Sequence, residues 1–223
     1  MRIGPHKILA PAEVTKVVRD LHRRRLLAAK RKRKDMRWPV KLIVFHLATF
    51  FGLRAKEIAG LNVGDLHRVS DTPDVDRPYI FVRAESTKGM RGKRRSREVK
   101  MTWPPRYVFN DVREHLALRL QMGAAPEDPL VCSMEKRCIG RRIKRTQVDR
   151  YFKSGCAPLT RPVHVHMGRH TFATMALGEW RQPLHHVKEA MGHRNIATTS
   201  IYLHALDNPA LDWASQGVER KAG

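Results

Sequence analysis

The stretch Trp38 to Leu61, WPVKLIVFHLATFFGLRAKEIAGL, decides how the rest of the chain is read. Trp38-Pro39 opens a helix, because proline is tolerated in a first turn where its missing N–H would bond nothing. Val40 to Phe51 is apolar nearly all round, which predicts the buried centre of a domain rather than a surface helix. Gly52 suits the position just past a helix end. Arg54-Ala55-Lys56-Glu57-Ile58-Ala59-Gly60-Leu61 starts a second helix directly afterwards. Arg54 is thereby anchored by the core helix while its own side chain stays polar.

Working outward, Pro11, Val14, Val17, Val18 and Leu21 form the stripe of an amphipathic helix. The basic block Arg23 to Arg37 that follows reads either as a solvated face or arm, or as a segment that tracks phosphates. Downstream, Arg77 to Arg83 and Ser96 to Met101 read as two strands of a hairpin. The turn region between them holds Lys88, Gly89, Arg91, Gly92, Lys93, Arg94 and Arg95. A helix is expected from about Asn110 to Met122, ending at Gly123, and a Pro-rich loop from Ala124 to Pro129. A basic helix is expected next, with Ile139, Ile143, Val148 and Phe152 inward and Arg141, Arg142, Lys144 and Arg145 outward. Three short helices follow: His166 to Leu177, Pro183 to Met191 and Thr198 to Leu206. The expected fold is mainly α with a small antiparallel β-sheet (α+β).

Lys and Arg number 44 against 21 Asp and Glu, a formal +23 over 223 residues. Such self-repulsion works against a compact monomer unless a polyanion relieves it, so nucleic acid is the expected partner. Charge alone favours a ribosomal or histone-like protein that coats nucleic acid without chemistry. Three cysteines, Cys132, Cys138 and Cys156, make no disulfide framework and point to a reducing compartment. The N-terminus lacks a secretory apolar stretch, and the run Val40 to Leu53 is too short and too interrupted to span a bilayer. The expectation is a cytoplasmic, nucleoid-associated protein with no membrane partner.

The polar residues supply a possible chemistry. Breaking a DNA phosphodiester requires neutralised nonbridging oxygens, a nucleophile and a proton for the leaving alkoxide. Arg offers a planar, permanently charged fork for phosphate. Tyr can form a covalent phosphoester that keeps the bond energy for religation, and Lys among other cations can act as the acid. His166 and His170 also stand four apart, a zinc-compatible spacing. However, Met167 occupies the place where a helical zinc protease carries Glu, and no third ligand is evident. No metal and no cofactor are expected.

Four boxes in order, Thr49 to Ile58, Thr87-Lys88-Gly89, His166 to Thr174, and Met191-Gly192-His193 with Thr198 to Tyr202, resemble those of the tyrosine recombinase (phage integrase) family. The resemblance covers roughly residues 8 to 206, which it implies is a catalytic domain. It implies that Arg54 and Arg169 clamp the scissile phosphate and that His193 hydrogen-bonds a nonbridging oxygen. It further implies that His166 assists proton transfer from the nucleophile and that Lys88 protonates the leaving 5′ oxygen, with Lys93 a rival. Tyr202, nine residues after His193, would become linked to the 3′ phosphate. Glu57 would buttress Arg54. Arg91, Lys93, Arg94, Arg95, Arg141, Arg142, Lys144 and Arg145 would contact double-stranded DNA, with the basic runs Arg23 to Arg37 and Arg91 to Arg97 adding electrostatic grip.

Two departures from the pattern carry expectations of their own. Gly168 stands where the family usually has a bulky apolar residue, which predicts a packing hole and a less firmly held Arg169. Only the short basic segment 1–37 precedes the core helix, so the chain reads as a solo catalytic-domain member or a truncated relative. Leu211 and Trp213 give the tail 207–223 the look of a subunit contact. The expected activity is site-specific recombination by a homo-multimer, a tetramer on paired sites. The competing readings are a type IB topoisomerase, which nicks and reseals a single duplex, and a DNA-binding module or regulator with an impaired site.

Overall fold

The computed structural model describes residues 3–30, 37–67, 78–86 and 95–206. Its centre is the helix α2 (Arg37–Thr49), buried at every position from Leu42 to Thr49. Because α2 has no polar face, four helices surround it: α1 (Pro11–Lys30), α4 (Arg106–Gln121), α5 (Arg145–Gly155) and α6 (Val165–Gly178). The stripe predicted for α1 is the one it buries, namely Pro11, Val14, Val17, Val18 and Leu21. Phe45 of α2 stacks on Phe152 of α5 with ring centroids 5.6 Å apart.

Two polar side chains, His46 and Thr49, are buried in α2. His46 Nε2 donates to Asp111 Oδ2 at 2.8 Å, and His22 Nε2 of α1 reaches the same oxygen at 2.7 Å. One carboxylate therefore pins α1, α2 and α4 together. These three residues bring potential ligand atoms within 4.8 Å of one another. Arg25 Nη1, 3.4 Å from Asp111 Oδ1, adds positive charge beside them. The buried His46 Nδ1 has no hydrogen-bond partner, whereas a metal-bound imidazole ordinarily gives its second nitrogen to one. The cluster is better suited to joining helices than to holding a cation.

Past α2 the chain turns at Gly52, whose φ of +64° lies in the left-handed region. A Cβ there would also stand 2.4 Å from Phe172 Cδ1, so both backbone and space demand glycine. The turn leads into α3 (Ala55–Gly60), with Arg54 immediately before its first residue. A three-stranded antiparallel sheet of order β1-β2-β3 follows: β1 (Leu66–His67), β2 (Tyr79–Val82) and β3 (Arg97–Lys100). In the β2–β3 register Ile80 opposes Val99 and Val82 opposes Arg97, with Ile80, Val82 and Val99 in the core. The third strand, β1, is an addition to the expected hairpin. Two residues are too few to display an alternating pattern.

The expected basic helix is shorter than predicted. Helix α5 begins only at Arg145, and residues 139–144 form turns around an isolated bridge between Cys132 and Arg142. Ile139 is 55% exposed instead of buried. Arg142 lies back on α3, donating to Ala59 O (3.1 Å), Leu61 O (3.3 Å) and Asn62 Oδ1 (2.6 Å). Two of these acceptors are backbone carbonyls at the end of α3, where intrahelical donors run out, and the third is a side-chain amide oxygen. Helix α4 starts four residues before the expected Asn110, at Arg106. The C-terminal region comprises α7 (Leu184–Met191), α8 (Ala197–Ser200) and α9 (Leu203–Leu206), the last two replacing one expected helix.

The packing hole expected at Gly168 does not exist. A Cβ there would meet Thr49 Oγ1 at 2.9 Å, Ala48 Cβ at 3.0 Å and Phe152 Cε2 at 3.1 Å. The missing side chain is what lets α6 lie directly on α2. No helix among the described residues is long and apolar enough to cross a membrane. Residues 31–36 of the basic block, the hairpin tip with Lys88, Arg91, Lys93 and Arg94, and the tail 207–223 lie outside the described residues.

Candidate active site

The site grows from the two turns that end α2 and α7. At the first, the Glu57 carboxylate folds back over the start of α3. Its Oε2 accepts the Arg54 backbone N–H at 2.8 Å, and its Oε1 accepts Arg54 Nη1 at 2.9 Å. Arg97, the first residue of β3, reaches the same carboxylate from the other side, Nη1 to Oε1 at 3.0 Å and Nη2 to Oε2 at 2.9 Å. Its Nε donates to Ala190 O of α7 at 2.7 Å. Glu57 is 0% exposed. Burial by itself would raise its pKa, but the hydrogen bonds and charge of Arg97, with Arg169 and Arg54 behind, hold the carboxyl at about 2. Arg97 was expected among the cations that grip DNA; here it faces inward and joins sheet, α3 and α7.

Arg169 is 1% exposed, and it stands where both turns can reach it. Nη1 donates to Gly52 O at 2.5 Å and Nη2 to Met191 O. It is thus firmly held, contrary to the expectation drawn from Gly168. Burial and the neighbouring Arg54 push its pKa down to about 9, which leaves it charged at neutral pH. His193, two residues past Met191, is oriented by a 2.9 Å hydrogen bond between its Nδ1 and Thr199 Oγ1. That bond leaves Nε2 for another partner. Burial, then Arg169, Arg54 and Arg97, lower the His193 pKa to about 3, so the ring is neutral.

Tyr202 is 3% exposed and sits within the field of Arg169 and Arg54. Burial raises the phenol to about 12 against the pull of those two guanidinium groups. The hydroxyl partner is His170: its Nδ1 lies 2.8 Å from Tyr202 Oη. His166, on the exposed side of α6, meets His170 edge-on with centroids 4.4 Å apart. Arg54, Glu57, Arg169, His193 and Tyr202 are therefore gathered in one place, with His166 at its rim. Arg95, Arg141, Lys144 and Arg145 are exposed, and so is Arg142 despite its hydrogen bonds to the end of α3. Sequence reasoning missed Arg97, Thr199 and His170 as members of the site. Thr199 and His170 lie inside the matched boxes without a role of their own, and the spacing of His170 from His166 suggested zinc.

Two buried imidazoles, His46 and His115, and two half-buried ones, His170 and His193, make acid stability predictable. Burial is the first cause in each, lowering His115 to about 4, His170 and His193 to about 3, and His46 as well. In the unfolded chain each takes a proton near the ordinary value of about 6.5. The stability they confer is therefore complete above that value and is lost progressively as pH falls toward 3. The denaturant midpoint should decline steadily between pH 7 and pH 4; a flat profile over that range would contradict these assignments.

The phage integrase family profile matches residues 17–208. The chain belongs to that family. It is 31% identical over 153 residues to the tyrosine recombinase XerC of Pseudomonas fluorescens, covering 69% of this chain and 44% of that protein. A tyrosine recombinase of Pseudothermotoga lettingae is 30% identical over 177 residues, 76% of this chain and 51% of that one. The chain thus spans about half the length of the curated relatives it matches. Among solved structures, XerA recombinase aligns with a TM-score of 0.61 at 21% identity over 92% of this chain and 60% of that one. XerH recombinase bound to difH before cleavage aligns with a TM-score of 0.60 at 20% identity, over 92% and 52% respectively. Both likenesses concern the fold.

Proposed function

We propose that the protein is a site-specific recombinase that cleaves and rejoins double-stranded DNA through a 3′-phosphotyrosine, needing neither metal nor nucleotide. One observation carries this reading: Arg54, Arg169, His193 and Tyr202 are held together at the meeting of two helix-end turns. In the proposed reaction Arg54 and Arg169 neutralise the nonbridging oxygens, and His193 Nε2 donates to one of them. The Tyr202 oxygen attacks phosphorus, the bond to the 5′ oxygen breaks, and Lys88 protonates that oxygen. Glu57 and Arg97 keep Arg54 in place without touching DNA. Arg95, Arg141, Lys144 and Arg145 follow the backbone together with the hairpin tip, in accord with the net charge of +23. Residues 8–206 form the catalytic unit, and four copies act on two paired sites.

The burial of Tyr202 adds a requirement. A duplex reaches the phenol only if the segment carrying α8 and α9 shifts, and two four-residue helices offer little resistance to that. The test uses duplexes from the genomic neighbourhood of the coding region, randomly nicked so that a cleaved strand loses its religation partner. The native protein should yield DNA adducts that survive denaturation. Tyr202→Phe should yield none while still binding the same duplexes. Adducts formed equally by Tyr202→Phe would end the proposal. DNA binding with no adduct in either protein would leave a binding module.

A further inference from the structure

Residues 3–10 form a strap ahead of α1 that is fastened to α6 close to Arg169. We propose that Lys7, carried on this strap, contacts a DNA backbone phosphate at the edge of the candidate site. The inference rests on the DNA-binding part of the reading above and not on the phosphotyrosine step.

Three observations support it. First, the strap is docked beside the phosphate clamp. The Leu9 backbone N–H donates to Thr171 Oγ1 at 2.8 Å in a buried bond, and Thr171 lies two residues after Arg169 on α6. The Thr171 hydroxyl donates in turn to Met167 O at 2.9 Å, which leaves its oxygen to accept from Leu9. The Leu9 side chain is wholly buried.

Second, the backbone on both sides of Lys7 is gripped. Pro5–Lys7 is a single 3-10 turn, closed by the Lys7 N–H donating to Gly4 O at 3.0 Å. Arg161, in the segment between α5 and α6, donates through Nη1 to His6 O and through Nη2 to Ile8 O, each at 2.7 Å. Its Nε and Nη2 also reach the two carboxylate oxygens of Glu13, each at 2.6 Å, and Glu13 stands in the first turn of α1. None of these anchors lies on α8 or α9, so they do not depend on where Tyr202 sits. A lysine on a fixed backbone orders less chain on meeting a phosphate than one on a free arm, and so loses less entropy.

Third, Lys7 is exposed, and among the described residues no carboxylate pairs with it. Its charge reaches His170, the residue after Arg169, whose protonated form it disfavours. A further cation beside Arg54 and Arg169 is unfavourable in the free chain and becomes favourable when a phosphate backbone arrives. An ammonium is a compact point charge that reads no base edge, so the contact fixes the seating of the duplex without choosing its sequence.

The experiment measures binding of the native chain, Lys7→Gln and Lys7→Arg to a short duplex from the genomic neighbourhood of the coding region, over a range of salt. Lys7 is exposed, so neither change disturbs the core. Loss of one phosphate contact should make the slope of log K against log salt shallower by about 0.9. Lys7→Gln should therefore bind about five- to tenfold more weakly than the native chain at about 0.1 M salt and almost equally at about 1 M. Lys7→Arg should keep the native slope. A second measurement locates the contact: phosphates of the duplex are replaced one at a time by uncharged methylphosphonates. One such replacement should weaken the native chain and leave Lys7→Gln unaffected, the coupling expected of two groups that touch. A native slope in Lys7→Gln, or a methylphosphonate profile identical to that of the native chain, would overturn the proposal and leave the function reading intact. Absence of duplex binding by the native chain would overturn both.

Discussion

Replacing Gly168 with the bulky apolar residue usual in the family should destabilise the protein. A Cβ at this position is already in conflict with Ala48 Cβ and Thr49 Oγ1, and neither can move aside. Ala48 has no side-chain freedom, and Thr49 is β-branched and wholly buried in the central helix. Helix α6 must therefore separate from α2. Overpacking of this kind costs about 1–3 kcal/mol and occasionally more, and Gly168→Leu belongs at the upper end. For a chain of this size, about 3 kcal/mol lowers Tm by about 6–12 °C. Arg169 is the next residue, so the separation pulls its guanidinium from Gly52 O and Met191 O, and adduct formation should fall along with Tm. Gly168→Ala should lose less, because its gain in helix propensity of about 1 kcal/mol offsets part of the strain. The measurement is a thermal melt of both variants; a Tm raised by leucine would show that a hole is there after all.

Glu57→Gln should be as damaging for an electrostatic reason. The side chain keeps its shape but loses the charge that Arg54, Arg97 and Arg169 share. Removing one member of a buried ion pair costs about 3–5 kcal/mol, because the remaining charge stays desolvated. Here Tm should drop by about 6–20 °C. The variant should also respond more strongly than the native chain to an added polyanion, since a short duplex supplies negative charge where the carboxylate supplied it. Equal melting temperatures for the two proteins would show that Glu57 is not the counter-ion.

The legible parts of this chain were those set by neighbouring residues. The apolar circumference of α2, the glycine that ends it and the stripe of α1 are local patterns, and each matches an element of the structure. The order of the helices and the antiparallel hairpin followed from the same kind of evidence. What was not legible depends on partners far along the chain. Arg142 is some eighty residues from the carbonyls it binds, and without them its basic neighbourhood looks like one face of a helix. Arg97 looks like one more cation of a charged hairpin until Glu57 and Ala190 are seen beside it. Gly168 was misread for a related reason: a missing side chain implies a void only if the backbones keep their distance. His170 and Tyr202 are separated by 32 residues, and nothing in the spacing linked them.

The contact between Arg97 and Glu57 has a consequence for how the hairpin assembles. Side chains of a strand alternate between faces, so sliding β3 by one residue against β2 would turn Arg97 outward and bring Glu98 inward. Glu98 would then oppose the enclosed Glu57, placing two carboxylates where one is balanced by guanidinium groups. The strand is thus proofread by charge as well as by its single core residue, Val99. A one-residue slip would cost the protein the geometry of the candidate site and its ion pair together, which makes misaligned hairpins self-rejecting.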